Sequence, residues 1–290
     1  MKQSAGSARA KENAARAGFF ITSLVSLAAV GCICVFIFRG AWPAISQIGL
    51  WNFLSGTAWK PNNDPQKFGI FYMIIGSLYV SGGALILGVP AGLGAAIFMA
   101  YFCPRRIYGL VKQCGKLLAG IPSIIYGLFG ALFFGTALGL GYSVICGVLT
   151  ISIMVLPTII RTSEEAILSV NDMYREGSLA LGAGKLRTIM HVVLPSAMKG
   201  IISSFILATG RIVGETAALL FTMGSVAQMP ANLLSSSRTL AVHMYINTRD
   251  GGMTGRETAF ASGVVLLVLV VGINLFASWM ERRAGKINEN

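Results

Sequence analysis

The chain has 290 residues, of which 54% are hydrophobic and only 12% charged. Soluble domains carry about 25% charged residues, so too little polar surface is present to cover a globule in water, and a soluble single domain is excluded. A net charge of +12 would point to nucleic acid in a soluble protein; here its distribution follows topology and gives no reason to invoke nucleic acid.

Residues 1–18 form a basic tail. The apolar run at 19–39 is too long for a signal-peptide core and carries no small-residue cleavage site, so it reads as a retained first span, with an external loop to residue 68. The apolar core, 69–280, begins with an apolar run at 69–101 that is too long for one straight crossing; Pro90 and Gly82, Gly83, Gly88, Gly92 and Gly94 predict a kink or a tilt. Further spans are predicted at 114–139 and 142–160, separated by the glycine-rich GTALGLGY, then at 200–223 and 258–280. Residues 281–290 are a second tail. The expected fold is all-α and polytopic, with about six transmembrane helices, five and seven being the bounds.

Lysines and arginines orient these spans. Both tails, the 102–113 turn with its flank, and the 161–199 loop hold sixteen; the opposite loops hold six: Arg39, Lys60, Lys67, Arg238, Arg249 and Arg256. Both termini are therefore expected in the cytoplasm.

Enzyme signatures fail on spacing. GAGKLRT at 182–188 and CGKLLAG at 114–120 lack the phosphate-loop pattern, and Lys185 and Lys116 are each followed by leucine, where a magnesium-binding hydroxyl would stand. His191 and His243 fall on opposite predicted sides. Cys32, Cys34, Cys103, Cys114 and Cys146 lie in or beside spans without metal-ligand spacing and read as packing residues. Neither catalysis nor a cofactor is expected.

The 161–199 loop is polar yet patterned. Ala166, Ile167 and Val170 recur at helical spacing, and a helical stretch from Met173 to Leu181 is broken by Gly182 and Gly184. This is either an ordinary surface loop or a docking element for a cytoplasmic partner. Glu176, Gly177, Ser178, Ala180 and Gly182, followed by Val192 and Leu194-Pro195, resemble the E-A-A-x3-G-x9-I-x-L-P coupling loop of ABC importer permeases. Gly177 and Ser178 stand where that family usually has alanines.

A wider resemblance covers nearly the whole chain. LWNFLSGTAWKPNNDPQKFGI, VPAGLGAAIFMAYFCP, LLAGIPSIIYGLFG, YREGSLALGAGKLRT and GRIVGETAALLF look like a phosphate-specific (Pst-type) ABC importer permease. The external loop and GIPS segment are closer to the PstC-type subunit, which is favoured; GETAALLF leans toward the PstA type. The resemblance implies a MetI-like architecture and a bacterial plasma-membrane location. It also implies a heterodimer with a second permease, a cytoplasmic ATPase dimer and an extracytoplasmic phosphate-binding protein, with lipid around the pair.

Within GRIVGETAALLF, Arg211 and Glu215 are one helical turn apart near the middle of the fifth predicted span, where a charge costs roughly 2.5–3.5 kcal/mol. They are expected to share a face and pair. Either the pair locks two spans together, or Arg211 supplies positive potential on an anion route and Glu215 tempers it; the resemblance marks both residues as important for transport. Thr216, Ser123 and Tyr126 are weaker pathway candidates, with packing beside Pro122 as the alternative. A permease for another oxyanion or small solute, and a non-transporting membrane sensor subunit, stay open.

Overall fold

The computed structural model describes residues 3–287, with the side chains of 3–11, 14, 250, 252, 253 and 280–287 excepted. The side chains of six of the tail cations counted above (Lys2, Arg9, Lys11, Arg282, Arg283 and Lys286) and the ends of both predicted tails, 1–2 and 288–290, lie outside what the structure describes.

Among the described residues, five helices are long and apolar enough to cross a membrane, or six if one bent pair counts as a span. Helix α1, Gln3–Ile48, presents Phe19, Leu24, Val30 and Phe36 outward and packs its far end on α12, Gly252–Ile287, where Gly40 meets the ring of Phe260. A short α2, Leu50–Ser55, and an antiparallel hairpin of strands β1, Trp59–Lys60, and β2, Lys67–Phe68, lead into α3, Phe71–Ile97. Pro90 does not break α3, which ends in a π-helical turn at Phe98–Phe102.

The third predicted span departs from a straight crossing. Helix α4, Arg105–Gly120, buries no side chain; α5, Ser123–Gly130, extended by a π turn at Ala131–Ala137, leaves it at 95°. The cause is Pro122, whose ring disfavours helical backbone at the residue before it; Ile121 is accordingly extended (φ −69°, ψ 129°). Gly139 and Gly141 then turn the chain at positive φ into α6, Val144–Leu168, whose first turn is capped by Ser143 accepting from the Cys146 amide at 3.2 Å.

Helix α6 is the centre of the bundle. Gly83, Gly88 and Gly92 of α3 lie against Val148, Val155 and Ile159, so close that a methyl on Gly83 would sit 2.8 Å from Val148 Cγ2 and one on Gly92 2.6 Å from Ile159 Cγ2. Gly83, Gly88 and Gly92 are thus a packing stripe, which lets two helices approach by dispersion where water supplies no driving force, whereas Gly82 and Gly94 face open space.

Ala166 and Ile167 belong to the last turns of α6; the separate helix of the 161–199 segment is α7, Asp172–Ala180. After α8, Lys185–Thr188, and a π turn at Ile189–Val193 comes α9, Leu194–Val213. The fifth predicted span breaks at Gly214, and the remainder is a short α10, Ala217–Thr222, packed on α5, followed by α11, Leu240–Asp250, and α12.

Candidate functional site

The break between α9 and α10 holds Arg211, Glu215 and Thr216, but not as the sequence predicts. Arg211 is in the last turn of α9, not at the middle of a continuous helix, a position where the carbonyl end of the helix favours a cation. Its Nη1 donates to Thr158 Oγ1 of α6 at 3.4 Å. The expected ion pair between Arg211 and Glu215 does not form, whereas Lys112–Glu164, Arg161–Glu165 and Arg175–Asp172 do. Gly214 ends the helix before Glu215, whose carboxylate turns forward and accepts from the Ala218 amide at 3.2 Å. Glu215 therefore serves an orphan donor at the start of α10, and the half-buried guanidinium keeps most of its donors unspent. Thr216 Oγ1 donates to Gly214 O at 3.3 Å.

Of the two α5 candidates, Tyr126 is buried in the same cluster as Ile212 and Ala218, which flank the break. Its hydroxyl donates to Leu118 O at 2.9 Å and so secures the α4–α5 bend. Ser123 opens α5 and is half-buried; nothing ties it to Arg211. The break and Tyr126 are brought together around one core, and Ser123 stays apart.

The second constellation is α7 and its flanks. Asn171 caps the helix by accepting from the Met173 amide at 2.9 Å, and Asp172 pairs with Arg175 at 3.4 Å. Glu176, Gly177 and Ala180 face outward, and Ser178 is held by Thr188 at 3.0 Å. Gly182, at φ 84°, reverses the chain and leaves Leu181 91% exposed beside exposed Met173 and Tyr174. Leu194 and Pro195 open α9, with Leu194 packed on the cluster of Ala96, Ile167 and Val193. This exposed apolar tip is a candidate docking surface. Its base is fastened to the end of α3: Lys185 Nζ donates to Tyr101 O at 2.7 Å and lies 4.5 Å from the centre of the Phe102 ring.

Sequence reasoning missed a third group. Glu164 of α6 is 2% exposed, accepts from the Tyr108 hydroxyl of α4 at 2.5 Å and lies 3.8 Å from Lys112 Nζ, which itself donates to Tyr108 at 2.9 Å. The signal was a carboxylate beside an otherwise apolar run, at S-E-E. It borders a cavity of about 430 Å³ between α4 and α6, lined by Val111, Leu118, Leu156 and Ile160 and by the basic Lys116.

The profile of the family described as "Binding-protein-dependent transport system inner membrane component" matches residues 88–286. The chain is 36% identical over 228 residues to the probable ABC transporter permease protein YqgI of Bacillus subtilis, covering 73% of this chain and 77% of that one. It is 31% identical to the phosphate transport system permease protein PstA 1 of Mycobacterium tuberculosis (93% and 88% covered) and 28% identical to PstC of Mesorhizobium japonicum (90% and 87%). Among solved structures, a bacterial alginate ABC transporter in complex with an alginate-bound periplasmic protein matches at TM-score 0.66 with 17% identity (91% and 94% covered). The inward-facing MetNI methionine transporter matches at 0.61 with 19% identity (74% and 97%). Both structures share the fold.

Proposed function

This chain belongs to the family of binding-protein-dependent transport system inner membrane components, an ABC permease of the inner membrane, and we propose that its cargo is inorganic phosphate moving into the cytoplasm. It forms one half of a permease pair. ATP is hydrolysed by separate subunits that dock on α7, and an external binding protein delivers the anion. Both termini are cytoplasmic, so the hairpin and the 224–239 segment face outward. Relatives named as phosphate permeases at 28–31% identity over about nine-tenths of the chain support the cargo. Similarity to both PstA and PstC names leaves the chain's side of the pair to be set by its partner.

The observation that carries the reading is the state of Arg211. A guanidinium at a helix break, with no carboxylate neutralising it, offers a planar fork of donors to a tetrahedral oxyanion and stays charged at any relevant pH. Thr158 contributes only one long bond, so the fork is held without being filled. Such a site attracts the anion and lets it leave, as conduction requires. ATP-driven displacement of α7 moves the base of α9 through the Ser178–Thr188 contact, and α9 carries Arg211 at its other end.

The test is radiolabelled phosphate uptake in proteoliposomes holding the full complex, as wild type, Arg211→Ala and Arg211→Lys. Loss of uptake in both variants, with ATP hydrolysis retained, supports the anion route and the importance of the fork. Uptake surviving in Arg211→Ala removes Arg211 from the route. Competition by sulfate, amino acids and sugars separates phosphate from another solute.

A further inference from the structure

Arg238, just before α11, is 6% exposed, and its Nε and Nη2 are buried without any hydrogen-bond partner. Nη1 has only a long bond to Ser225 O, at 3.3 Å. Burial pulls its pKa down to about 10. Its neighbour His243 is fully buried and likewise unsatisfied at Nδ1. The Asn247 Nδ2 amide can only donate, so His243 Nε2, 2.9 Å away, accepts and Nδ1 carries the proton. Burial first, and Arg238 second, keep this imidazole neutral. Two adjoining residues thus present three unpaired donor nitrogens and no acceptor.

A buried charge without a counter-charge costs several kcal/mol, and unpaired buried donors add to that. What stands in for a counter-ion is aromatic. Trp59 of β1 lies with its ring centre 5.9 Å from the Arg238 guanidinium and 4.2 Å from the His243 ring, edge to face. The hairpin that carries Trp59 is two-faced. Trp59 and Phe68 pair across the strands on one face, and Lys60 and Lys67 pair on the other. Like charges directly opposed in a ladder are unfavourable, yet they gather positive potential at the outer lip.

The hairpin also has open space beside it. Behind it, between β2 and α1–α2, lies a cavity of about 590 Å³ lined by Gln47, Asn52, Gly56, Lys67 and Phe68 and touching neither Trp59 nor Arg238. Gly56 and Gly69 mark its two ends, crossing so closely that a methyl on Gly69 has no room beside the Gly56 backbone. Trp59 and Phe68 both pack on the cluster of Phe53, Ile70 and Met73, so a swing toward the open side would lift these two rings off that cluster.

We infer that Arg238, with the Nδ1–H of His243, is a second oxyanion-binding group, set outside the break that holds Arg211, kept under Trp59 in this conformation and uncovered when the hairpin swings into the space behind it. Its ligand is free inorganic phosphate, received at the outer lip past Lys60 and Lys67 before it reaches Arg211. This rests on the phosphate reading and extends it to the entry side.

The test is a titration of the assembled complex in nanodiscs with inorganic phosphate at constant ionic strength. It follows tryptophan fluorescence as the difference between wild type and Trp59→Phe. A saturable change, abolished by Arg238→Met and retained in Arg211→Met, is the expected result. The Arg238→Met complex should also melt no lower than wild type, because the methionine removes an uncompensated charge. A flat titration in wild type, or a saturable one surviving Arg238→Met, overturns the inference. So does a signal that responds only to the ligand-free binding protein, since the counter-ion is then a carboxylate of that protein. Phosphate uptake by the wild-type complex, measured alongside, separates the two levels. Uptake with a flat titration removes this site alone, whereas a saturable titration without uptake removes the cargo assignment and leaves an anion site.

Discussion

Replacing Gly83 by alanine places a methyl 2.8 Å from Val148 Cγ2 and 3.0 Å from Cγ1. Rotating the valine relieves neither contact without renewing the other, since β-branched side chains in helices hold essentially one rotamer. Overpacking of this kind costs about 1–3 kcal/mol. Val148→Ala alone removes two buried methyls, worth about 0.8 kcal/mol each before any cavity cost. In the double variant the nearest partner of the new methyl becomes the residue-148 Cβ at 3.5 Å, an ordinary contact, and the methyl fills part of the space the valine left. The double variant should therefore be no less stable than Val148→Ala, with a coupling of about 1–3 kcal/mol in its favour. Melting of the purified complex in nanodiscs measures this, together with phosphate uptake, which should fall in Gly83→Ala and return in the pair. If the losses of the two single variants simply add, the α3–α6 contact is not the tight one described and the packing argument fails.

Tyr108→Phe should cost about 1.5–3 kcal/mol, because it takes the short hydrogen bond from a buried carboxylate; a melting shift equal to that of a surface tyrosine change would refute this. Leu181→Asp should leave melting of the permease unchanged while abolishing co-purification of the ATPase subunits, and retained co-purification would remove the tip from the docking surface. Because the folded protein holds the His243 pKa well below its ordinary value, only the unfolded chain takes up that proton as pH falls below about 6.5. Stability should drop with a slope of up to about 1.4 kcal/mol per pH unit. His243→Gln should flatten the melting curve between pH 6.5 and 5, and an unchanged slope would show that the imidazole is not buried neutral.

Composition and apolar run length made the membrane class legible, because crossing hydrocarbon constrains length and polarity together. Helix α7 was also readable, since Gly182 stops it by backbone conformation, a property of the residue itself. The Arg211–Glu215 pair was misread for the converse reason: four-residue spacing implies a shared face only if the helix continues, and Gly214 ends it while a backbone amide claims the carboxylate. Pro122 was visible, but hydropathy summed across it merged a surface helix with a membrane helix. Arg238 read as one more loop cation. Its burial depends on Trp59, nearly 180 positions away in the chain, and no local pattern carries contacts of that range.

The bond from Lys185 to the Tyr101 carbonyl gives the molecule an unequal mechanical advantage. The segment that presents Leu181 is joined covalently to α9 and by this ammonium to the end of α3, while α3 is locked along its glycine stripe to α6. A load applied at α7 is therefore shared among three helices at once, two of them moving as a single beam. The joint in this train is the Gly214–Thr216 linker, which joins α9 to α10, itself seated in the core against α5 and α6. Strain delivered from the ATPase side would then concentrate at that linker, so stiffening it with proline should slow turnover even where nothing touches the cargo.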